Sequence, residues 1–126
     1  SSVFNPEVAK VCNRRKVAYV PGCMTPTEIA AAEETGVELV KVFPGNVVTP
    51  DFIKALLGPC PWSRLMPSSG VDVSEASIGE WIRAGAAVVG IGGKLVSGEV
   101  VKGQQWDRLA EATDQCLHWV KQARKR

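Results

Sequence analysis

The sequence lacks the features that mark membrane proteins, secreted proteins, nucleic-acid-binding proteins and metal-binding proteins. No apolar run is long enough to cross a bilayer, and no segment has the hydrophobic core of a signal peptide. Basic and acidic residues number 15 and 13, and the formal net charge of +2 is too small to indicate nucleic-acid binding. Histidine occurs once, and the four cysteines form no C-x-x-C pair and no zinc-ligand spacing. We therefore expect no membrane span, no nucleic-acid partner and no metal site.

The composition that remains is that of one folded domain. Of the 126 residues, 45% are hydrophobic and 22% are charged, which is ordinary for a globular chain with a single core. The cysteines are expected to be buried free thiols in a reducing compartment, namely Cys12, Cys23, Cys60 and Cys116. The prediction is one domain over residues 1–126, located in the cytoplasm.

A strand followed by a helix is the unit that recurs along the chain. In the first copy, the apolar segment 16–22 ends in Pro-Gly and the segment 25–36 begins like a helix. Thr25 can cap that helix, Pro26 suits its first turn and Glu28 completes a capping box. The pattern predicts further strands and helices in the same alternation, with strands starting near 38, 63 and 86 and helices over 49–58, 72–85 and 104–123.

The predicted strands are spaced by 21 to 25 residues along the chain. This is the rhythm of right-handed βαβ units, in which the strands are parallel and need cover on both faces. Four parallel strands alone would leave two open edges, which an eight-stranded barrel removes by closing. The last helix is predicted to bury one apolar stripe, made of Trp106, Leu109, Ala110, Thr113, Leu117 and Val120. The predicted class is therefore α/β, with the chain forming half of a larger assembly of strands.

A lysine interrupts the apolar strand VELVKVFPGN, which runs from residue 37 to residue 46. Strand alternation puts Leu39, Lys41 and Phe43 on one face. If that face lines a barrel interior, burial favours the neutral amine, because water no longer stabilises the charge, and a neutral amine can condense with a ketone. The alternative is a lysine whose ammonium reaches solvent at the end of the strand. Periodicity alone does not decide between the two.

Two turns rich in small residues follow neighbouring predicted strands. PSSG covers residues 67–70 and GIGG covers residues 90–93, and backbone N–H groups in such turns can approach an anion closely. In eight-stranded barrels, the loops after the last two strands form the usual phosphate site. Each could also be a plain tight turn. The pair, found one unit after a strand-borne lysine, favours a phosphate site.

These residues together resemble a known family, the 2-keto-3-deoxy-6-phosphogluconate (KDPG) aldolases, which include the 4-hydroxy-2-oxoglutarate (KHG) aldolases. The matching segments extend over essentially the whole chain and are YVPGCMTPTE (19–28), VKVFPGNVVTPDFIKALLGP (40–59), LMPSSGVDVSEASIGEWIRAGAAVVGIGGKLV (65–96) and the closing helix. The resemblance implies a class I aldolase on a (β/α)8 TIM barrel, of which this chain supplies strands five to eight with their helices. It also implies a keto-acid substrate, cleaved to pyruvate and an aldehyde without any cofactor.

The resemblance implies specific roles for residues in these segments. Lys41 would form the Schiff base on strand six, Phe43 would pack against the pyruvate methyl group, and Pro21 would line the same pocket. Ser68 stands where the family usually has a threonine that contacts the keto-acid end. The phosphate-binding turns correspond to Ser69, Gly70, Gly92 and Gly93.

Two departures from the family pattern bear on the substrate. The family commonly reads Pro-Thr-Gly-Gly after strand seven, whereas this chain has a serine at position 69. After strand eight, Gly93 replaces a frequent serine, and the lost hydroxyl removes a phosphate hydrogen bond worth roughly 1 kcal/mol. Lys94 would offset this loss if its ammonium reached the anion, and would otherwise be a surface lysine. A phosphorylated and an unphosphorylated substrate both stay open.

Part of the family's machinery has no counterpart in this sequence. The resemblance begins just after strand four, while the family's general-base glutamate lies on strand two and a carboxylate-binding arginine on strand one. The chain also begins Ser1-Ser2 without methionine, so we expect a processed or shortened chain and a missing N-terminal half as a partner, besides a homo-oligomer that the resemblance implies to be a trimer. Two alternatives remain: another phosphate-binding barrel enzyme, such as those acting on indole or thiamin phosphates, and a non-catalytic half-barrel scaffold.

Overall fold

The computed structural model describes residues 1–125, in which helices alternate with short strands. The predicted domain over 1–126 therefore includes one residue, Arg126, that lies outside the described part. The strands are β1 (Gly22–Cys23), β2 (Val40–Val42) and β3 (Leu65–Pro67). The helices are α1 (Pro6–Arg15), α2 (Pro26–Glu34), α3 (Pro50–Leu57), α4 (Glu75–Arg83), α5 (Gly98–Lys102) and α6 (Trp106–Arg124).

The three strands form one parallel sheet in the order β1-β2-β3. Lys41 on the central strand lies in register with Gly22 on one side and Met66 on the other. Successive strands are joined by helices, as parallel pairing requires. The predicted α/β class with parallel strands is confirmed.

The predicted fourth strand, over residues 86–93, is not a regular strand. Its backbone runs beside β3, where the Ala87 N–H donates to the Leu65 carbonyl at 2.9 Å and the Gly90 N–H donates to the Pro67 carbonyl at 2.9 Å. The stretch from 87 to 90 therefore contains one residue more than the stretch of β3 that it accompanies. An extra residue disrupts the hydrogen-bond ladder as a β-bulge does, so that only an isolated parallel bridge between Ser68 and Gly90 remains.

The first strand also differs from the prediction, which placed it over residues 16–22. The observed strand is Gly22–Cys23, two residues long. Pro21 has no N–H to donate, and its carbonyl accepts the Lys41 N–H at 2.9 Å. Regular pairing with β2 therefore begins only after this proline.

The helices cover one face of the sheet, and the other face is only partly covered. Val40 and Val42 of β2 are buried while Lys41 between them is half-buried, and Met66 of β3 is half-buried in the same way. The buried apolar side chains form one cluster that includes Ile29, Val40, Val42, Ile53, Leu65 and Ile78. The core therefore lies between sheet and helices, and Lys41 lies on the opposite face.

Helix α6 packs through a different face from the one predicted. Cys116 and Ala123 are its buried residues, whereas Trp106 is 53% exposed and Leu117 is 51% exposed. The predicted stripe was wrong for these two residues and for Ala110, which is also exposed, because contact with α4, and not apolar content alone, selects the buried face. The sequence patterns also predict neither α1 nor α5, since these helices bury only Ala9 and Val100 and so carry no apolar stripe.

The Thr-Pro starts of α2 and α3 are alike in sequence but differ in structure. The Thr25 hydroxyl accepts the Glu28 N–H at 3.3 Å, and the Glu28 carboxylate accepts the Thr25 N–H at 2.8 Å, which completes the predicted capping box. Thr49 makes no side-chain cap hydrogen bond. The Glu28 hydrogen bonds lower the pKa of its carboxyl group, with the Met24 N–H contributing most.

This difference gives a matched pair of variants. We expect Thr25→Ala to lower the free energy of unfolding by about 1 kcal/mol, because it removes a formed cap. Thr49→Ala should have a clearly smaller effect, because no cap hydrogen bond is lost. Urea unfolding of the two variants measures the difference. Equal losses in both would contradict the assignment of the cap to Thr25 alone.

Candidate active site

Lys41 and Phe43 lie together at the open face of the sheet. The Lys41 Nζ atom is 4.7 Å from the centre of the Phe43 ring. At this distance an ammonium group interacts favourably with the negative face of an aromatic ring. The two side chains therefore share one face of β2, as strand alternation predicts.

Lys41 is half-buried, which is less than the prediction of a barrel interior requires. Lys41 is only half-buried because it lies on the sheet face that the helices of residues 1–125 do not cover. Its backbone is nevertheless fixed on both sides, because β2 is the central strand. The site thus presents a lysine on a rigid strand with one side open.

Pro21 lies next to Lys41 in the sheet but is fully buried. Gly22, and not Pro21, is the residue in register with Lys41. The ideal Cβ position of Gly22 lies 2.3 Å from the Ser2 carbonyl oxygen. Only a glycine at position 22 therefore lets the Ser2 backbone approach this closely. The role of Pro21 in lining the substrate pocket stays a prediction.

Most of the predicted phosphate and keto-acid residues lie around one cavity. Its volume is about 480 Å³, and its lining consists of Asn46, Ser68, Ser69, Val71, Gly90, Gly92, Gly93 and Lys94. The bridge between Ser68 and Gly90 holds the two turns side by side. The cavity lies at the carboxyl ends of the strands, the edge at which β2 also ends.

The backbone of this cavity offers free hydrogen-bond donors. Within residues 1–125, no protein acceptor receives the backbone N–H groups of Ser69, Gly92 or Gly93. An ideal Cβ on Gly92 or on Gly93 would meet nothing within 4 Å. An anion can therefore approach these N–H groups without steric hindrance.

Gly70 is absent from the lining of this cavity and has a different contact. Its ideal Cβ position lies 2.4 Å from the Gly45 carbonyl carbon and 2.6 Å from the Asn46 nitrogen. The turn after β3 thus crosses the turn after β2 at backbone contact distance. This close approach requires a glycine at position 70, and contact of Gly70 with an anion stays a prediction.

Ser69 has a left-handed backbone, with φ of 67°. That conformation costs a residue with a side chain roughly 1 kcal/mol relative to glycine. The position corresponds to a glycine of the pattern that the chain resembles, and a glycine adopts this conformation without that cost.

Two polar residues were not predicted as site residues, one that lines this cavity and one that pairs with a lining residue. Asn46 follows the Pro-Gly turn directly and lines the cavity. Asp72 forms an ion pair with Lys94. Ser74 is the actual cap of α4, since its hydroxyl accepts the Ser77 N–H at 3.3 Å. Because Ser74 caps α4, the Asp72 carboxylate does not serve as the cap and pairs with Lys94 instead.

Cys23 is the thiol nearest to Lys41 in the sheet. It is buried, and burial raises the pKa of its thiol to about 11, with Glu28 and Glu33 adding to the effect. The thiolate is the reactive form of cysteine, so burial and the raised pKa disfavour reaction at Cys23.

Residues 1–125 contain no group of three or more side chains that could hold a metal ion. None of the helices in this part of the chain is long and apolar enough to span a membrane. The single histidine, His118, is exposed on α6.

Comparison with known proteins connects this geometry to a family. A family model described as KDPG and KHG aldolase matches residues 1–112. The 2-dehydro-3-deoxy-6-phosphogalactonate aldolase of Escherichia coli (strain K12) is 33% identical over 113 residues, which are 86% of this chain and 53% of that protein. The 2-dehydro-3-deoxy-phosphogluconate aldolase of Haemophilus influenzae is 28% identical over 122 residues, which are 94% of this chain and 55% of that protein.

A solved structure has the same fold over the full length of the chain. It is described as native KDPGal, and it superposes with a TM-score of 0.87 at 26% sequence identity. The match covers 100% of this chain and 59% of that one. The chain therefore spans about half the length of the curated relatives it matches.

Proposed function

The chain belongs to the KDPG and KHG aldolase family, and from that premise we propose that it acts as a class I aldolase. The substrates are 2-keto-3-deoxy-6-phosphogluconate or 4-hydroxy-2-oxoglutarate, cleaved to pyruvate and an aldehyde. The observation that carries the proposal is the position of Lys41, on the central strand, 4.7 Å from the Phe43 ring, at the sheet edge that also bears the anion cavity.

The chemistry begins at the Lys41 amine. The neutral amine attacks the C2 ketone, water leaves, and a protonated imine forms. The imine accepts the electron pair of the C3–C4 bond as that bond breaks, while the C4 hydroxyl gives its proton to water, or to the base of a complete barrel, and the aldehyde departs. The resulting enamine takes up a proton at C3, and hydrolysis releases pyruvate and restores the amine. Phe43 packs against the methyl group of the pyruvate unit.

The remaining predicted residues bind the two ends of the substrate. Ser68 donates its hydroxyl hydrogen to the keto-acid end, and the turns with Ser69, Gly92 and Gly93 hold the phosphate when one is present. Support comes from the cavity that these residues share and from its free backbone N–H groups. Gly70 supports the site through its backbone contact with Gly45.

We also propose that β1, β2, β3 and the irregular segment 86–93 correspond to strands five to eight of a (β/α)8 barrel. The open sheet face with Lys41 and Met66 supports this, as does a length about half that of the curated relatives. The other half of such a barrel would cover Lys41, favour its neutral form and provide the proton-transferring base. A homotrimer is the assembly proposed from the resemblance, and a cytoplasmic location stays a prediction.

Release of pyruvate tests the proposal. The purified chain is mixed with each of the two hydroxy keto acids, and pyruvate is followed with lactate dehydrogenase and NADH. We expect release from at least one acid, slower than a complete barrel by about 10²- to 10⁴-fold, because general-base catalysis has this magnitude. The same acids reduced at C2 are the control, since they have no ketone to condense. A folded chain that releases no pyruvate from either acid would contradict the proposal.

A further inference from the structure

The turns that frame the anion cavity are joined by an ion pair. Lys94 follows the glycines of the second turn and lines the cavity, while Asp72 follows the first turn. The Lys94 ammonium donates a hydrogen bond to the Asp72 carboxylate across 22 positions of sequence. The two side chains are 57% and 62% exposed. The pair therefore lies at the rim of the cavity, within reach of solvent.

Lys94 differs in charge from its neighbours in the cavity. Among the residues that line it in the described chain, Lys94 is the one that carries a charge, and the others offer hydroxyl, amide and backbone N–H groups. A phosphate in the cavity would thus meet neutral donors and a single cation. Asp72 already neutralises that cation.

Ion pairs as exposed as this one are weak and are screened by salt. A phosphate that is held by several backbone N–H groups and carries nearly two charges can compete with one carboxylate for the ammonium. Asp72 opposes this exchange in two ways, because it occupies Lys94 and because it repels the incoming anion. An unphosphorylated substrate that ends in a carboxylate brings only one charge and two acceptor oxygens, so it competes less well with Asp72 for the ammonium.

We propose that Lys94 is a specificity residue that binds the phosphate end of the substrate, and that Asp72 is its intramolecular competitor. The pair sets how strongly the chain prefers a phosphorylated over an unphosphorylated keto acid. This inference rests on the proposed function, because it concerns the same substrate. It adds two residues that the resemblance does not supply.

Binding of inorganic phosphate tests the inference without any aldolase chemistry. The probe is phosphate titrated into the full chain at low ionic strength, with binding followed by the phosphorus NMR signal. We expect Lys94→Gln to weaken binding about tenfold, the loss of one charge-assisted hydrogen bond, and Asp72→Asn to tighten it severalfold. Lys102→Gln is the matched control, since this exposed lysine on α5 does not line the cavity. The Lys102→Gln variant should bind phosphate with the same affinity as the unaltered chain.

A double variant separates competition from a general charge effect. In the Lys94→Gln background, Asp72→Asn should improve affinity much less than it does alone, because the ammonium that Asp72 occupies is gone. Equal improvement in both backgrounds, unchanged affinity in Lys94→Gln, or no phosphate binding by the unaltered chain would each overturn the inference. Trapping of pyruvate on Lys41 in the unaltered chain is independent of phosphate, so failure of this inference and failure of the proposed function give different results.

Discussion

Lys41→Arg should abolish the trapping of pyruvate on the chain and lower any release of pyruvate from the hydroxy keto acids by about 10³-fold or more. Arginine keeps the positive charge near Phe43 but stays protonated at every accessible pH, so it cannot attack a ketone. The loss therefore reports the missing nucleophile and not a missing charge. Trapping is measured as the mass gained by the intact chain after borohydride reduction.

Lys54→Arg on α3 is the control for this substitution. Lys54 is exposed and lies outside the cavity and the open sheet face, so the same exchange there should leave trapping unchanged. Thermal unfolding of both variants checks that the fold is kept. Continued trapping in Lys41→Arg would mean that a different amine, such as the N-terminal amine of Ser1, reacts with the ketone.

Gly70→Ala should lower the free energy of unfolding by about 3 kcal/mol, the range seen when an atom is forced into a packed site. The new Cβ would lie 2.4 Å from the Gly45 carbonyl carbon and 2.5 Å from its oxygen. Both are backbone atoms, which cannot rotate away as a side chain can. The turns after β2 and β3 would have to separate, which disturbs the carboxyl edge of the sheet. Urea unfolding measures the change.

Gly93→Ala is the matched control for this steric effect. Its ideal Cβ meets no atom within 4 Å, and its backbone is outside the left-handed region. The free energy of unfolding should therefore change by no more than about 0.5 kcal/mol. Equal destabilisation by the two substitutions would contradict the packing role given to Gly70.

The parts of the fold that local sequence determines were predicted well. The capping box of Thr25 and Glu28 depends on residues three positions apart, and it forms as predicted. The alternation of strands with helices and the parallel sheet follow from the spacing of apolar segments. The irregular segment 86–93 was not predicted, because a bulge depends on where its hydrogen bonds fall along β3.

The candidate site was predicted in part, for a similar reason. Ser68 and Gly92 were expected near one another because the ends of neighbouring parallel strands meet, and they share a cavity. The ion pair of Asp72 with Lys94 and the contact of Gly70 with Gly45 depend on how closely two distant turns approach. No periodicity in the sequence encodes such distances.

The most direct measurement is the location of the trapped adduct. The chain is incubated with pyruvate, reduced with borohydride, digested and mapped by mass spectrometry. One reduced pyruvate on the peptide that contains Lys41, and none elsewhere, is the result we predict. A folded chain with no adduct, or with an adduct only on other amines, would contradict the assignment of Lys41 as the Schiff-base lysine.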